Sequence, residues 1–120
     1  MDTFLASYIE TALWSCTDSD GVPLDNSKYC DAELAPETLK KFEADCEAFA
    51  AKGSVLYPEY FAGLQSQTTA HDFWLTRNGH GAGFWDGDYP KAIGETLTEF
   101  AHSFGEVDLY VGDDGKIYQS

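Results

Sequence analysis

Residues 70–90 read "AHDFWLTRNGHGAGFWDGDYP", and the fold turns on whether this stretch is strand or helix. Phe73 and Leu75 alternate with Trp74, and beyond "NGHG" Ala82 and Phe84 alternate with Trp85. A period of two is that of a pleated strand with one face turned to a core. The glycines and Asn78 between the two runs tolerate the positive φ of a reversing loop. The pattern predicts a β-hairpin over residues 71–86.

Outward from this hairpin the chain has clearer punctuation. Downstream, Asp88, Tyr89 and Pro90 open a helix whose apolar face is Ile93, Leu97, Phe100, Ala101 and Phe104, and Gly105 ends it. In "EVDLYVGDDGKIYQS", residues 106–120, Val107, Leu109 and Val111 alternate, and Asp114-Gly115 signals a type I′ turn. That predicts a second hairpin. Upstream, Phe4, Leu5, Tyr8, Ile9, Ala12 and Leu13 recur at helical spacing, with Asp2 or Thr3 as N-cap. A further helix starts at Pro36 and stops near Gly53, with Leu39, Phe42, Cys46 and Phe49 as its buried stripe. A short helix from Pro58 carries Tyr60, Phe61 and Leu64, and residues 17–35 form a long polar connection. Helices followed by a β-β-α-β-β order predict an α+β fold. Its N-terminal helices pack on a small, mainly antiparallel four-stranded sheet, in one domain over residues 1–120.

Charge narrows the function classes. The chain carries 21 Asp and Glu against 7 Lys and Arg, a net charge of −14, while 43% of its residues are apolar and 15% aromatic. So much apolar content takes it out of the disordered class despite the charge. Both halves are acidic, with 12 acids against 4 bases in residues 1–60 and 9 against 3 in residues 61–120. Seven bases cannot pair 21 acids, so the excess carboxylates belong on the surface. Direct binding of nucleic acid is not expected for want of a Lys/Arg stripe. A protein partner with a basic surface is expected instead. Cys16, Cys30 and Cys46 include no CxxC pair, and they read as reduced thiols of a cytoplasmic protein. "MDTFLASYIE" lacks the charged start of an export signal, and no apolar run has the length of a membrane span.

Catalytic and metal motifs are weak. His71, His80, Asp86, Asp88 and His102 are the candidate ligands, yet no HExxH or paired CxxC spacing is present. "DSDG" at 18–21 begins like a calcium loop but has Tyr29 where the bidentate glutamate belongs. No G-x-S-x-G elbow supports a nucleophile at Ser103, and Cys46 lies on an apolar stripe. "GHGAG" joins two predicted strands and does not precede a helix, so it reads as a turn and not a phosphate loop. No cofactor or metal is expected. If Phe73, Leu75 and Phe84 face the core, then Trp74, Arg77, His80 and Trp85 form a patch of typical binding anchors on the opposite face. The equal alternative is that helices cover both faces and bury these residues, with Arg77 held by neighbouring carboxylates as an internal ion pair.

The segments at 71–89, "HDFWLTRNGHGAGFWDGDY", and at 105–118, "GEVDLYVGDDGKIY", resemble a set of small acidic bacteriophage and prophage proteins of unassigned activity. The likeness extends to "YIETALWSCTDSDGVPLD" at 8–25 and "APETLKKFEADCEAF" at 35–49. The resemblance implies a gene product of the infected bacterial cytoplasm and brings no catalytic residues with it. Charge and resemblance together predict a non-enzymatic phage accessory protein that binds and inhibits a host protein, one that itself holds nucleic acid, by presenting a DNA-like acidic surface. The expected contacts are Asp18, Asp20, Asp25, Asp31, Glu33, Glu37, Glu43 and Glu47, with Asp86 and Asp88 beside the aromatic hairpin. Two alternatives are a small hydrolase or nucleotide-acting enzyme built on His71, Arg77, His80 and Asp86, and a homo-oligomeric structural protein of the phage particle.

Overall fold

Ser66, Thr69, Ala70, Phe73, Trp74 and Arg77 are spaced i, i+3, i+4, i+7, i+8 and i+11, and all six are buried. That is the repeat of one helix face, and Gln65–Arg77 is a helix, α3. The hairpin expected over residues 71–86 is therefore wrong in its first arm. The helical repeat begins at Ser66, before the aromatic cluster, and its polar members Ser66 and Thr69 hide it. Residues 72–77 are buried on every side, so the two-residue alternation of Phe73, Trp74 and Leu75 carries no information about faces. "NG" closes the helix: Gly79 adopts φ +68°, its N–H bonds the Thr76 carbonyl at 3.2 Å, and the Asn78 side chain bonds the Trp74 carbonyl at 3.0 Å. Gly83 and Phe84 follow in a turn, with the Phe84 N–H on Thr76 Oγ1 at 3.1 Å.

The computed structural model describes residues 3–16, 34–79, 83–84 and 89–119. Three further helices surround α3: α1 (Thr3–Ser15), α2 (Pro36–Leu56) and α4 (Lys91–His102), with a single 3-10 turn at Pro58–Tyr60. One antiparallel hairpin, β1 (Leu109–Val111) with β2 (Ile117–Gln119), completes the described residues. The architecture is thus mostly helical, and the four-stranded β-β-α-β-β sheet is replaced by four helices and a two-stranded ribbon. No described helix is long and apolar enough to cross a membrane.

Phe49 of α2 is the centre of the core. Its ring stacks on Phe73 of α3 at 4.0 Å between centroids and 7° between planes, and meets Phe61, Phe84 and Phe100 at 5.0–5.9 Å. Tyr8 of α1 bridges this cluster to Phe42, Phe73 and Trp74 at 5.1–5.4 Å. Gly53, expected to stop α2, lies inside it. A Cβ there would fall 2.2 Å from the Phe61 ring, so the glycine admits that ring against the helix backbone. α2 runs on three residues to Leu56.

The terminal hairpin differs from expectation in its turn. Val111 pairs with Ile117, leaving Gly112–Lys116 as the loop, and no described non-glycine residue has positive φ. A type I′ turn needs positive φ at both central positions, which Asp113 and Asp114 do not supply. The Gly115 N–H bonds the Gly112 carbonyl at 3.0 Å, Gly112 N–H bonds the Lys116 carbonyl at 2.8 Å, and Gly115 takes φ +79°. This is a type I turn closed by a glycine bulge. The ribbon docks on the start of α2: the Ile117 carbonyl accepts the Ala35 N–H at 2.9 Å and the Thr38 hydroxyl at 3.0 Å, and Leu34 pairs with Ile117 in a parallel bridge. No side chain of its own caps α2, so the ribbon satisfies an amide that would otherwise be orphaned.

Three acidic hydrogens tie this fold to pH. Burial pushes the Tyr8 phenol well above its ordinary value and raises the Cys16 thiol, and the bond from the Tyr118 hydroxyl to Asp114 (2.6 Å) pushes that phenol up to about 12. A group whose folded value is raised stabilises the fold fully below its unfolded value and loses that contribution as pH climbs through the folded one. The unfolded values are 9.0 for the thiol and 10.0 for the phenols. Thermal melts should therefore hold level to about pH 9 and decline steadily above it, and a flat midpoint across the phenol range would contradict this assignment.

Candidate functional site

Arg77 is the only arginine of the chain, and its fate decides what the aromatic segment can do. The guanidinium is almost fully enclosed. Nη1 donates to the Tyr8 hydroxyl and to Asp45 Oδ2, both at 2.8 Å, while Nε donates to the Gly105 carbonyl at 2.9 Å and Nη2 to the Phe104 carbonyl at 3.0 Å. Phe73 and Phe104 pack against it with ring centroids 5.6 and 5.7 Å from Cζ. One side chain thus fastens α3 to α1, α2 and the exit of α4. All four bonds are made within the protein, and the enclosed group is not open to a ligand. Trp74 is fully buried as well, with its indole N–H on Ser15 Oγ at 2.6 Å. Neither residue is part of an exposed patch.

His71 is turned elsewhere. Six residues from Arg77, it lies on a different side of α3, and its Nδ1 is 3.0 Å from Thr11 Oγ1 on α1. Thr11 gives its own hydroxyl proton to the Ser7 carbonyl at 2.8 Å, so Nδ1–H is the donor and Thr11 the acceptor. His102 is exposed at the end of α4. The imidazoles and the guanidinium among the described residues do not meet. His80 and Asp86, the other members of the proposed hydrolase set, lie outside the described residues, as do Trp85 and Asp88. Among the described residues, no three His, Cys, Asp or Glu side chains gather as a metal would require.

Of the expected acidic contacts, Glu37, Glu43 and Glu47 are exposed on α2, and Asp18, Asp20, Asp25, Asp31 and Glu33 lie outside the described residues. Glu43 and Glu47, one helical turn apart, edge a groove of about 560 Å3 floored by Phe4, Leu5, Ala50 and Phe61 between α1 and α2. Glu95 and Glu99 on α4 and Asp113 and Asp114 in the hairpin turn are exposed too. Asp72 is an exception: it is buried and accepts the Tyr89 hydroxyl at 2.8 Å.

A second groove, of about 400 Å3, runs between α1 and α3. Ser7, Glu10, Thr11 and Trp14 line it from α1, and Gln67, Thr68 and His71 from α3. Trp14 is 52% exposed and stands 5.8 Å from the His71 ring, centroid to centroid. Sequence reasoning passed over Trp14 in favour of Trp74 and Trp85. The signal was present: Trp14 falls outside the stripe of Phe4, Tyr8 and Ala12 that α1 buries, and a large ring off the buried stripe of a helix has to face outward.

No family model, no curated protein and no solved structure matches the chain.

Proposed function

We propose that the chain is a non-enzymatic phage accessory protein that acts in the host bacterial cytoplasm. It binds and inhibits a host protein through its acidic surface, and the target is one whose basic cleft otherwise holds nucleic acid. The observation that carries this reading is the excess of negative charge at the surface: among the described residues eleven carboxylates are exposed against four lysines. The one arginine is spent inside on Asp45 and three other oxygens, while Glu37, Glu43 and Glu47 of α2, Glu95 and Glu99 of α4, and Asp113 and Asp114 of the hairpin turn are exposed and outnumber the exposed Lys40, Lys41, Lys52 and Lys91. A net charge of −14 steers a cationic surface toward such a body and repels phosphate. The resemblance of residues 71–89 and 105–118 to small acidic phage proteins supplies the biological setting. The hydrolase alternative gains no support from His71 and Arg77, which face different neighbours.

Capture from bacterial lysate at low ionic strength should retain basic, nucleic-acid-binding proteins, released both by salt and by duplex DNA. The double charge reversal Glu43→Lys/Glu47→Lys should weaken retention several-fold without lowering thermal stability, since both side chains are exposed. Retention of no basic protein, or retention indifferent to salt and to the reversal, would count against the proposal.

A further inference from the structure

The groove between α1 and α3 combines an indole, a carboxylate and neutral acceptors, and we propose that it is a binding site for the guanidinium group of an arginine side chain on the partner protein. The inference rests on the reading above, that the partner is basic, and names the anchor point.

Glu10 and Trp14 are one turn apart on α1, which sets their Cβ atoms about 6 Å from each other on one face. A planar cation stacked on the indole therefore presents its edge to the carboxylate, so that cation–π attraction and a charge-assisted hydrogen bond act on the same group. Glu10 is exposed and forms no salt bridge with a described residue, and Trp14 is half exposed. The opposite wall offers the Gln67 amide and the Thr68 hydroxyl. Among the described residues lining the groove there is no Lys or Arg to compete for the carboxylate.

The walls are held in place. His71 is fixed by its bond to Thr11, and Thr11 by its bond to Ser7, so the ring opposite Trp14 is oriented before any ligand arrives. α1 and α3 are also joined near that end by the Trp74 indole bond to Ser15. An anion is disfavoured by Glu10 and by the overall charge. A lysine ammonium fits less well, because it is a strongly hydrated point charge that neither stacks nor forks.

The test is a proton–nitrogen NMR titration of the whole chain with the capped peptide acetyl-Gly-Arg-Gly-amide. Its neutral isostere with citrulline and its lysine counterpart serve as controls. The arginine peptide should move the Trp14 indole N–H and the amides of Glu10, Gln67 and His71 with millimolar affinity. The lysine peptide should bind about threefold or more weaker, and the citrulline peptide should leave these signals in place. Glu10→Gln and Trp14→Ala should each weaken the arginine peptide by about two- to fivefold, in line with one exposed ion pair or cation–π contact. Unchanged Trp14 and Glu10 signals, equal shifts from citrulline, or shifts that survive Glu10→Gln and Trp14→Ala together would overturn the proposal. So would a methyl glycoside that moves these signals where the arginine peptide does not. If the peptide fails here while lysate capture remains salt-sensitive, only the anchor is lost and the acidic-surface reading stands.

Discussion

Replacing Arg77 with methionine should lower the free energy of unfolding by about 3–5 kcal/mol, the usual loss when one partner of a buried ion pair is removed. Methionine keeps much of the volume but none of the four donated bonds. The carbonyls of Phe104 and Gly105, the Tyr8 hydroxyl and Asp45 would all lose a donor, the Tyr8 hydroxyl in a fully buried position. Because a domain of this size has about 5–15 kcal/mol in total, the variant should be largely unfolded near its former melting range. Arg77→Lys should also be destabilising, since one ammonium cannot reach acceptors on both prongs of the fork. Asp45→Asn should cost less, because Asp45 is partly open to solvent and the other three acceptors keep their donor. Urea unfolding followed by circular dichroism measures all three. A loss below about 1 kcal/mol for Arg77→Met would show that the guanidinium is a bystander.

Phe49→Ala is expected to do comparable damage by a different route, again about 3–5 kcal/mol. The ring is fully buried and touches aromatic side chains from α3, α4, the 60s turn and the turn at Phe84. Those partners come from separate elements and cannot all move inward to close the gap, so the cavity persists. Phe49→Leu should recover a large part of the loss, because it restores apolar volume without the stacked geometry. Near-ultraviolet circular dichroism should lose aromatic intensity in the alanine variant even where it remains folded. Urea midpoints unchanged by the alanine substitution would place the centre of the core elsewhere.

The sequence carried these elements unequally. α1, α2, α4 and the terminal ribbon were legible because each has one buried face and a sharp boundary: Pro36 and Pro90 at starts, Gly105 and Gly115 at turns. α3 was not, because its buried face begins with the polar Ser66 and Thr69 and residues 72–77 are buried all round, which leaves no apolar stripe to read. Its aromatic triplet then mimics strand alternation. The sheet prediction failed with it, since two of the four expected strands came from that segment. For the functional site, the exposed α2 glutamates were foreseeable from charge alone. Arg77 reads from sequence either as a contact or as an internal ion pair, and its enclosure against Asp45 decides for the pair. Trp14 was not legible as part of a site because Glu10, Trp14 and His71 become neighbours only when α1 lies along α3.

The attachment of α2 has a consequence for biosynthesis. The opening amide of that helix and the Thr38 hydroxyl both rely on the Ile117 carbonyl, 79 positions beyond the threonine. At ordinary translation speeds the ribosome needs on the order of ten seconds to make that much chain. Throughout this interval the nascent helix has to begin without its tether, leaving its leading turn to fray until the ribbon is released and docks. Fastening of α2 therefore lags its synthesis, and messages broken short of Ile117 would yield chains whose second helix is unfastened at its start.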